Sequence, residues 1–354
     1  METPRPRIPG LLMAKKVEGR VPFEELLADL REILGPEDDF TIRYWLPSGI
    51  TLLDLAISDG AGFPGGRVTE IFGHEGSGKT LLSLLLGRAA QQQGGLCVFQ
   101  DAEARLSHGL TTKKIQVNID KTSGQWIYGM PDNLEKGLMA LERAARSRLG
   151  YEEPTVLILD SLAMIAPEDQ DIDHASLDEV KQPGVQAKLL SRFFSRGILR
   201  KISGSNVHLL LLNQLRDKMG GGGNKFIKPD PEPPGGWATR FAASTRLSVH
   251  QTAIQNEERR IGSMVNIKVR KTSTHNPFHE ISFPLYHRIG MCDVMANLHY
   301  LKTNKVFKMH GGGYYEYGGE KKRIADWWKL AKEDPEWQKR IRELTKETYR
   351  SLNS

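Results

Sequence analysis

Four stretches of the chain are apolar almost without interruption: RVTEIFG (67–73), LCVFQD (96–101), TVLILD (155–160) and VHLLLLNQ (207–214). Each has the length of a strand covered on both faces, where neither side of the pleat meets water. Between them, over Thr80–Gln93 and Leu134–Arg148, apolar residues recur at helical spacing instead. Buried strands alternating with helices predict an α/β fold over residues 46–290, a mostly parallel sheet flanked by helices. Ligands of such sheets sit outside the carboxyl ends of the strands.

The flanks follow other patterns. Residues 1–45 combine Pro4, Pro6, Pro9 and Gly10 with basic side chains, then a short amphipathic helix. Its Leu26, Leu27, Leu30, Ile33 and Leu34 fall on helical spacing, and Gly35-Pro36 stops it. This N-terminal arm and helix fits docking on a neighbouring copy, and it equally fits packing on its own domain. Within 46–290, a polar segment at about 168–184 and a second at about 218–236 break the alternation. Lys218–Trp237 holds six glycines and four prolines in twenty positions. Long irregular loops in compact domains are usually functional, although the same composition also makes a linker. Residues 291–354 carry short strand-like pieces around GGGYYEYGGE and a helical tail with Trp327, Trp328 and Trp337. They predict a small α+β C-terminal domain.

Composition narrows the class. The 354 residues include 49 Lys+Arg and 43 Asp+Glu, a net charge of +6 that weakly favours a polyanionic partner. Two cysteines, Cys97 and Cys292, exclude a disulfide scaffold, and no Cys/His cluster has zinc spacing. Apolar runs are too short to span a bilayer, and METPRPRIPGLLMAKK has no export-type apolar region. The expectation is a cytoplasmic protein with no membrane partner.

Chemistry concentrates at the strand ends. Gly73-His74-Glu75-Gly76-Ser77-Gly78-Lys79-Thr80 matches G-x-x-x-x-G-K-[ST] in full, with a strand before it and a helix after it. The glycines let backbone N–H groups wrap phosphates at a helix N-terminus, Lys79 reaches the outer phosphates, and Thr80 offers a hydroxyl to Mg²⁺. Asp160 ends the third strand, where a carboxylate beside a P-loop would hold Mg²⁺ through its water shell, and where, taken alone, it also fits a turn or an N-cap. Asp101-Ala-Glu103 leaves the second strand. Glu103 suits the activation of a water, and the spacing fits a helix-capping acid equally well. Asn213-Gln214 ends the fourth strand, where an uncharged amide can contact the terminal phosphate or simply leave the sheet. His74, His108 and His208 are expected in loops or core, and Cys97 in packing.

Together these segments resemble the RecA family of DNA recombinases, with its bacterial members and its phage UvsX branch, in order from about Leu46 to Leu344. The carriers are SGITLLDLAI…GFPGGRVTEIFG before the P-loop, QDAEARL, LILDSLAMIAP, LLLLNQLRDKMG and GGWATRFAASTRLSV. The resemblance implies a RecA-like ATPase core with ATP and Mg²⁺ as cofactors. It makes Glu103 the catalytic glutamate, Asp160 the Walker B acid, Gln214 the γ-phosphate sensor and Phe241 a subunit-interface aromatic. It makes 168–184 and 218–236 the two DNA-binding loops, with Gly184, Lys188, Lys218, Lys225, Lys228, Gly235 and Gly236 on or beside them. Lys and backbone N–H groups there would meet phosphates.

The implied activity is ATP-dependent pairing and strand exchange by a helical filament on single-stranded DNA. Duplex DNA, further copies of the chain, and single-strand-binding and mediator proteins are the implied partners, in a bacterial or phage-infected cell. A hexameric helicase or translocase on the same core, and an ATP-binding coat that does not hydrolyse, are the alternatives. Three departures stand out. KVRKTSTHNPF resembles the segment offering two basic residues to a neighbour's ATP; Lys271 matches the first, and Ser273 stands at the second. Leu110 occupies the place of an aromatic that stacks on adenine. SLNS ends the chain without an acidic tail, and 321–354 carry ten basic against six acidic residues, a balance that attracts duplex DNA.

Overall fold

The computed structural model describes residues 22–34, 41–168, 184–215, 233, 236–256, 259–287 and 290–353. The chain divides into two compact units, 1–41 and 42–354. In the first, α1 (Phe23–Leu34) has Glu24 and Glu25 in its first turn and Arg31 in its last, which suits the helix dipole. Phe23, Leu26, Leu30 and Ile33 are exposed along one stripe of it.

The second unit opens with β1 (Trp45–Leu46), α2 (Thr51–Ser58) and β2 (Phe63–Pro64), then β3 (Arg67–Gly73), α3 (Lys79–Gln92) and β4 (Leu96–Asp101). β5 (Trp126–Gly129), α4 (Leu134–Ser147), β6 (Thr155–Asp160), α5 (Val185–Phe193), α6 (Leu199–Ile202) and β7 (Val207–Gln214) follow. After α7 (Gly236–Ala242) come β8 (Thr245–Asn256), β9 (Arg259–Lys271), β10 (Glu280–Tyr286) and β11 (Gly290–Met291). The chain ends with α8 (Asp293–Thr303), β12 (Lys308–His310), β13 (Tyr314–Tyr317), β14 (Glu320–Arg323), α9 (Ile324–Glu333) and α10 (Pro335–Asn353).

Among the described residues, nine strands form one sheet in the order β11-β10-β9-β8-β3-β7-β6-β4-β5. From β8 to β5 all neighbours are parallel, and β9, β10 and β11 continue antiparallel. The pleat explains the continuous apolar runs. In β6, Val156 and Ile158 enter the core shared with α2 and α3, while Leu157 and Leu159 enter the core shared with α4 and α5. β7 divides in the same way, Leu210 and Leu212 against Leu209 and Leu211. His208 and Cys97 are buried in these strands. A third apolar cluster, centred on Phe307, Trp327, Ile341 and Leu344, unites α8–α10 with the sheet β12-β13-β14. Ala296 of α8 and Tyr349 of α10 reach the main core. Among the described residues, no helix is long and apolar enough to cross a membrane.

Candidate functional site

β3 delivers the chain into the glycine-rich loop under tight steric limits. A Cβ on Gly73 would lie 2.2 Å from the Val249 carbonyl oxygen and 2.7 Å from Ser77 Oγ, so only glycine lets the loop close against β8. Gly78, at φ +98°, turns the backbone into the first turn of α3, whose free N–H groups open on the loop. Lys79 begins that turn and is buried. Its Nζ donates to the carbonyls of Gly73 at 3.1 Å and His74 at 2.8 Å. Burial lowers its proton affinity, while Asp160, Glu103 and Glu75 act in the opposite direction.

The ends of β4, β6 and β7 bring three further groups to the loop. Thr80 Oγ1 donates to Asp160 Oδ2 at 2.5 Å. Burial, then the charges of Glu103 and Asp101, push the Asp160 carboxyl up to about 6 against the pull of Thr80 and Lys79. Glu103 Oε1 accepts from Ser161 Oγ at 2.6 Å and from Gln214 Nε2 at 2.5 Å. Glu103 faces this cluster, and the acid that organises the turn is Asp101. Asp101 accepts the backbone N–H groups of Glu103, Arg105 and Leu106 at 3.2, 3.4 and 2.9 Å, and the Tyr128 hydroxyl at 3.0 Å. Between the loop and these groups lies a cavity of about 340 Å³.

The donor set fits a magnesium nucleotide. The cradle at Gly73 is closed to any side chain, and the helix N-terminus favours phosphate. Ser77 Oγ is buried and has no hydrogen-bond partner among the described residues. Thr80 and Asp160 present a hydroxyl and a carboxylate together. Mg²⁺ is usually held by one or two such groups with waters and substrate phosphates, so the lack of a larger acidic cluster among the described residues does not count against it.

Other predicted residues lie away from the cavity. Gly184, at φ +112°, caps α5, and Lys188 is exposed on that helix's first turn. Gln186 Nε2 donates to the Leu162 carbonyl at 2.5 Å, which ties α5 to the chain just past Asp160. Gly236 starts α7. Lys218, Lys225, Lys228 and Gly235, and most of 168–184, fall outside the described residues. Phe241 is 73% exposed and stacks on Trp237 at 5.5 Å. Lys271 Nζ donates to the Arg240 and Phe241 carbonyls at 3.1 and 3.3 Å, and Lys271 is not among the described residues lining the cavity. Ser273 is exposed, and Leu110 lies on a π-helical turn, Gly109–Ile115.

Two groups escaped the sequence reading. Ser161 holds Glu103 beside Asp160, and nothing in LILDSLAM singles it out. Glu70 is fully buried in β3, where it accepts from Asn213 Nδ2 at 3.1 Å and Arg246 Nε at 2.5 Å. A glutamate within RVTEIFG was a readable signal that a buried cationic partner exists.

A family profile described as the RecA N-terminal domain matches residues 32–292. The curated "Protein RecA" of Geobacter sulfurreducens is 34% identical over 296 residues, 81% of this chain and 80% of that protein. Its namesake in Deinococcus radiodurans is 32% identical over 332 residues, 91% of this chain and 84% of that protein. In Thermus aquaticus, identity is 34% over 276 residues, 77% and 75% of the two chains.

Proposed function

The chain belongs to the RecA family of ATP-dependent recombinases, and from this premise we propose how its residues divide the work. The carrying observation is the meeting of Glu103 and Gln214 at the head of the P-loop, from strands that end on either side of β6. An acid at this point is ready to take a proton from water, and an amide on the same oxygen can exchange it for phosphate. In this reading the backbone of Gly73–Gly78 cradles phosphates, Lys79 exchanges its two carbonyl partners for the outer phosphates, and Thr80 and Asp160 hold Mg²⁺. Bound magnesium neutralises phosphate charge.

Gln214 is one residue from Leu215, whose N–H donates to the Gly73 carbonyl at 3.1 Å. Beyond Leu215 begins the segment 218–236, assigned with 168–184 to DNA. Contacts there therefore lie a few residues along the chain from the amide that meets Glu103. Lys188, Lys218, Lys225 and Lys228 serve as phosphate contacts, and Gly184, Gly235 and Gly236 allow backbone approach. Phe241 and Lys271 are assigned to the subunit interface of a helical filament, with Lys271 acting on the neighbour's nucleotide. Residues 1–45 form the polymerisation arm, 46–290 the ATPase core and 291–354 a basic C-terminal domain that attracts duplex DNA, all working in the cytoplasm.

The test is strand exchange with ATP and single-stranded DNA against homologous and heterologous duplexes, with Lys79→Ala beside the wild type. Exchange confined to the homologous duplex and abolished in Lys79→Ala is expected. ATP hydrolysis without any exchange, on closed rings visible by electron microscopy, would overturn the recombinase reading in favour of a translocase.

A further inference from the structure

Arg105 stands at the lip of the cavity and has no role in the scheme above. It lies two residues after Glu103 on the turn organised by Asp101, and it lines the cavity with Glu75, Lys79, Glu103, Asp160 and Gln214. Its Nη1 donates to Glu75 Oε1 of the P-loop and lies 3.7 Å from Glu103 Oε2. Glu103 turns its other oxygen to Ser161 and Gln214. The guanidinium thus bridges the P-loop and the acid, on the side of the cavity where hydrolysis is assigned. Among the described residues lining the cavity, Lys79 and Arg105 are the cations, and Lys79 is committed to the loop from beneath.

The geometry points to Arg105 as a cationic contact, supplied by the same chain, to the terminal phosphate of the bound nucleotide. Its partner Glu75 is 70% exposed, and Arg105 itself is 58% exposed. A carboxylate–guanidinium pair so open to water is weakly held and is readily exchanged. Phosphate offers the same fork-matching oxygens with more charge, and so competes for the guanidinium. In hydrolysis the water oxygen bonds to the terminal phosphorus and the bond to the β–γ bridging oxygen breaks. ADP leaves with that electron pair, and the water's proton passes to Glu103. Arg105 transfers no proton, since guanidinium stays charged; it stabilises the phosphoryl oxygens as charge shifts among them.

This inference rests on the ATP-site reading, and the experiment separates the two. Equilibrium binding of ATPγS and of ADP, each as the Mg²⁺ complex, is measured for wild type, Arg105→Ala, Arg105→Lys and Glu75→Ala, followed by steady-state hydrolysis. Arg105→Ala should bind ATPγS about tenfold more weakly with ADP affinity unchanged, and should lose about a hundredfold in turnover. Arg105→Lys should recover part of the ATPγS preference. Glu75→Ala, which frees the guanidinium, should keep the preference for ATPγS over ADP. Unchanged affinities in Arg105→Ala would overturn the proposal alone. Equal weakening of ATPγS and ADP in both Arg105→Ala and Glu75→Ala would also overturn it, reducing the pair to a tie that shapes the loop. Wild type that binds neither nucleotide would overturn the ATP site itself and this proposal with it.

Discussion

Arg246→Met strands a carboxylate at the centre of the sheet. Glu70 has no exposed surface, and its oxygens are taken by Arg246 Nε at 2.5 Å and Asn213 Nδ2 at 3.1 Å. The arginine side chain is 10% exposed, with its guanidinium 4.8 Å from the Phe72 ring centroid. Methionine preserves most of the apolar stem, so the substitution chiefly removes the charge. Breaking a buried pair from one side costs about 3–5 kcal/mol, because the remaining ion is desolvated without a counter-charge. Asn213 still donates to Glu70, which places the loss near the lower bound, about 3 kcal/mol. Unfolding entropy grows with chain length, so in a unit of this size each kcal/mol moves the melting midpoint by about 1.5 °C and the expected drop is about 5 °C. Glu70→Gln/Arg246→Met removes both charges and should recover most of that loss. Calorimetry and urea midpoints on wild type, both single variants and the double variant close the cycle, with a coupling of about 2–3 kcal/mol. A loss below about 1 kcal/mol for Arg246→Met, or a double variant no more stable than it, would refute the account.

Burial, with a smaller contribution from the Asp293 charge, pushes the Asp54 carboxyl from its ordinary 3.8 up to about 7, against hydrogen bonds from Ser48. The folded state therefore holds a proton that the unfolded state has lost between about pH 4 and 7; the site's stabilisation is complete below that window and disappears as pH rises through it, by up to about 4 kcal/mol. Asp54→Asn should flatten this component of the melting temperature measured against pH, and an unchanged profile would remove Asp54 from the explanation. Gln214→Ala should bind nucleotide normally yet lose the stimulation of ATP hydrolysis by single-stranded DNA; equal stimulation in variant and parent would sever the coupling. Glu103→Ala and Lys271→Ala should each be nearly inactive, while an equal mixture regains about a quarter of wild-type interfaces in head-to-tail assembly. Absence of recovery in filaments shown to contain both would mean that Lys271 does not act on a neighbour.

The parallel half of the sheet was legible because β3, β4, β6 and β7 are covered on both faces, leaving little but apolar residues. β8 and β9 were not. They carry polar residues such as His250, Gln251, Arg259 and Arg260, and their inside-outside alternation is broken by register shifts at Arg246/Leu247 and Ile254/Gln255. The P-loop was readable as a local motif, and Asp160 as the polar end of an apolar strand. Spacing could not separate the roles of Asp101 and Glu103, since both leave β4 within three residues; only the fold shows which one gathers backbone N–H groups. Arg105 meets Glu75 across thirty positions, and Glu70 meets Arg246 across 176, separations over which no periodicity carries information.

The bond from Leu215 N–H to the Gly73 carbonyl marks a frontier in the chain's tolerance of length change. Residues added after it lengthen only the connection to α7, at about 0.6 kcal/mol for each doubling, and leave the amide of Gln214 aimed at Glu103. One residue added before it, within β7, shifts the strand's alternation and turns the amide to the opposite face. Descendants of this gene should therefore accumulate insertions on one side of a single peptide bond and almost none on the other, so that the connecting segment can diversify while the meeting of Gln214 and Glu103 is inherited intact.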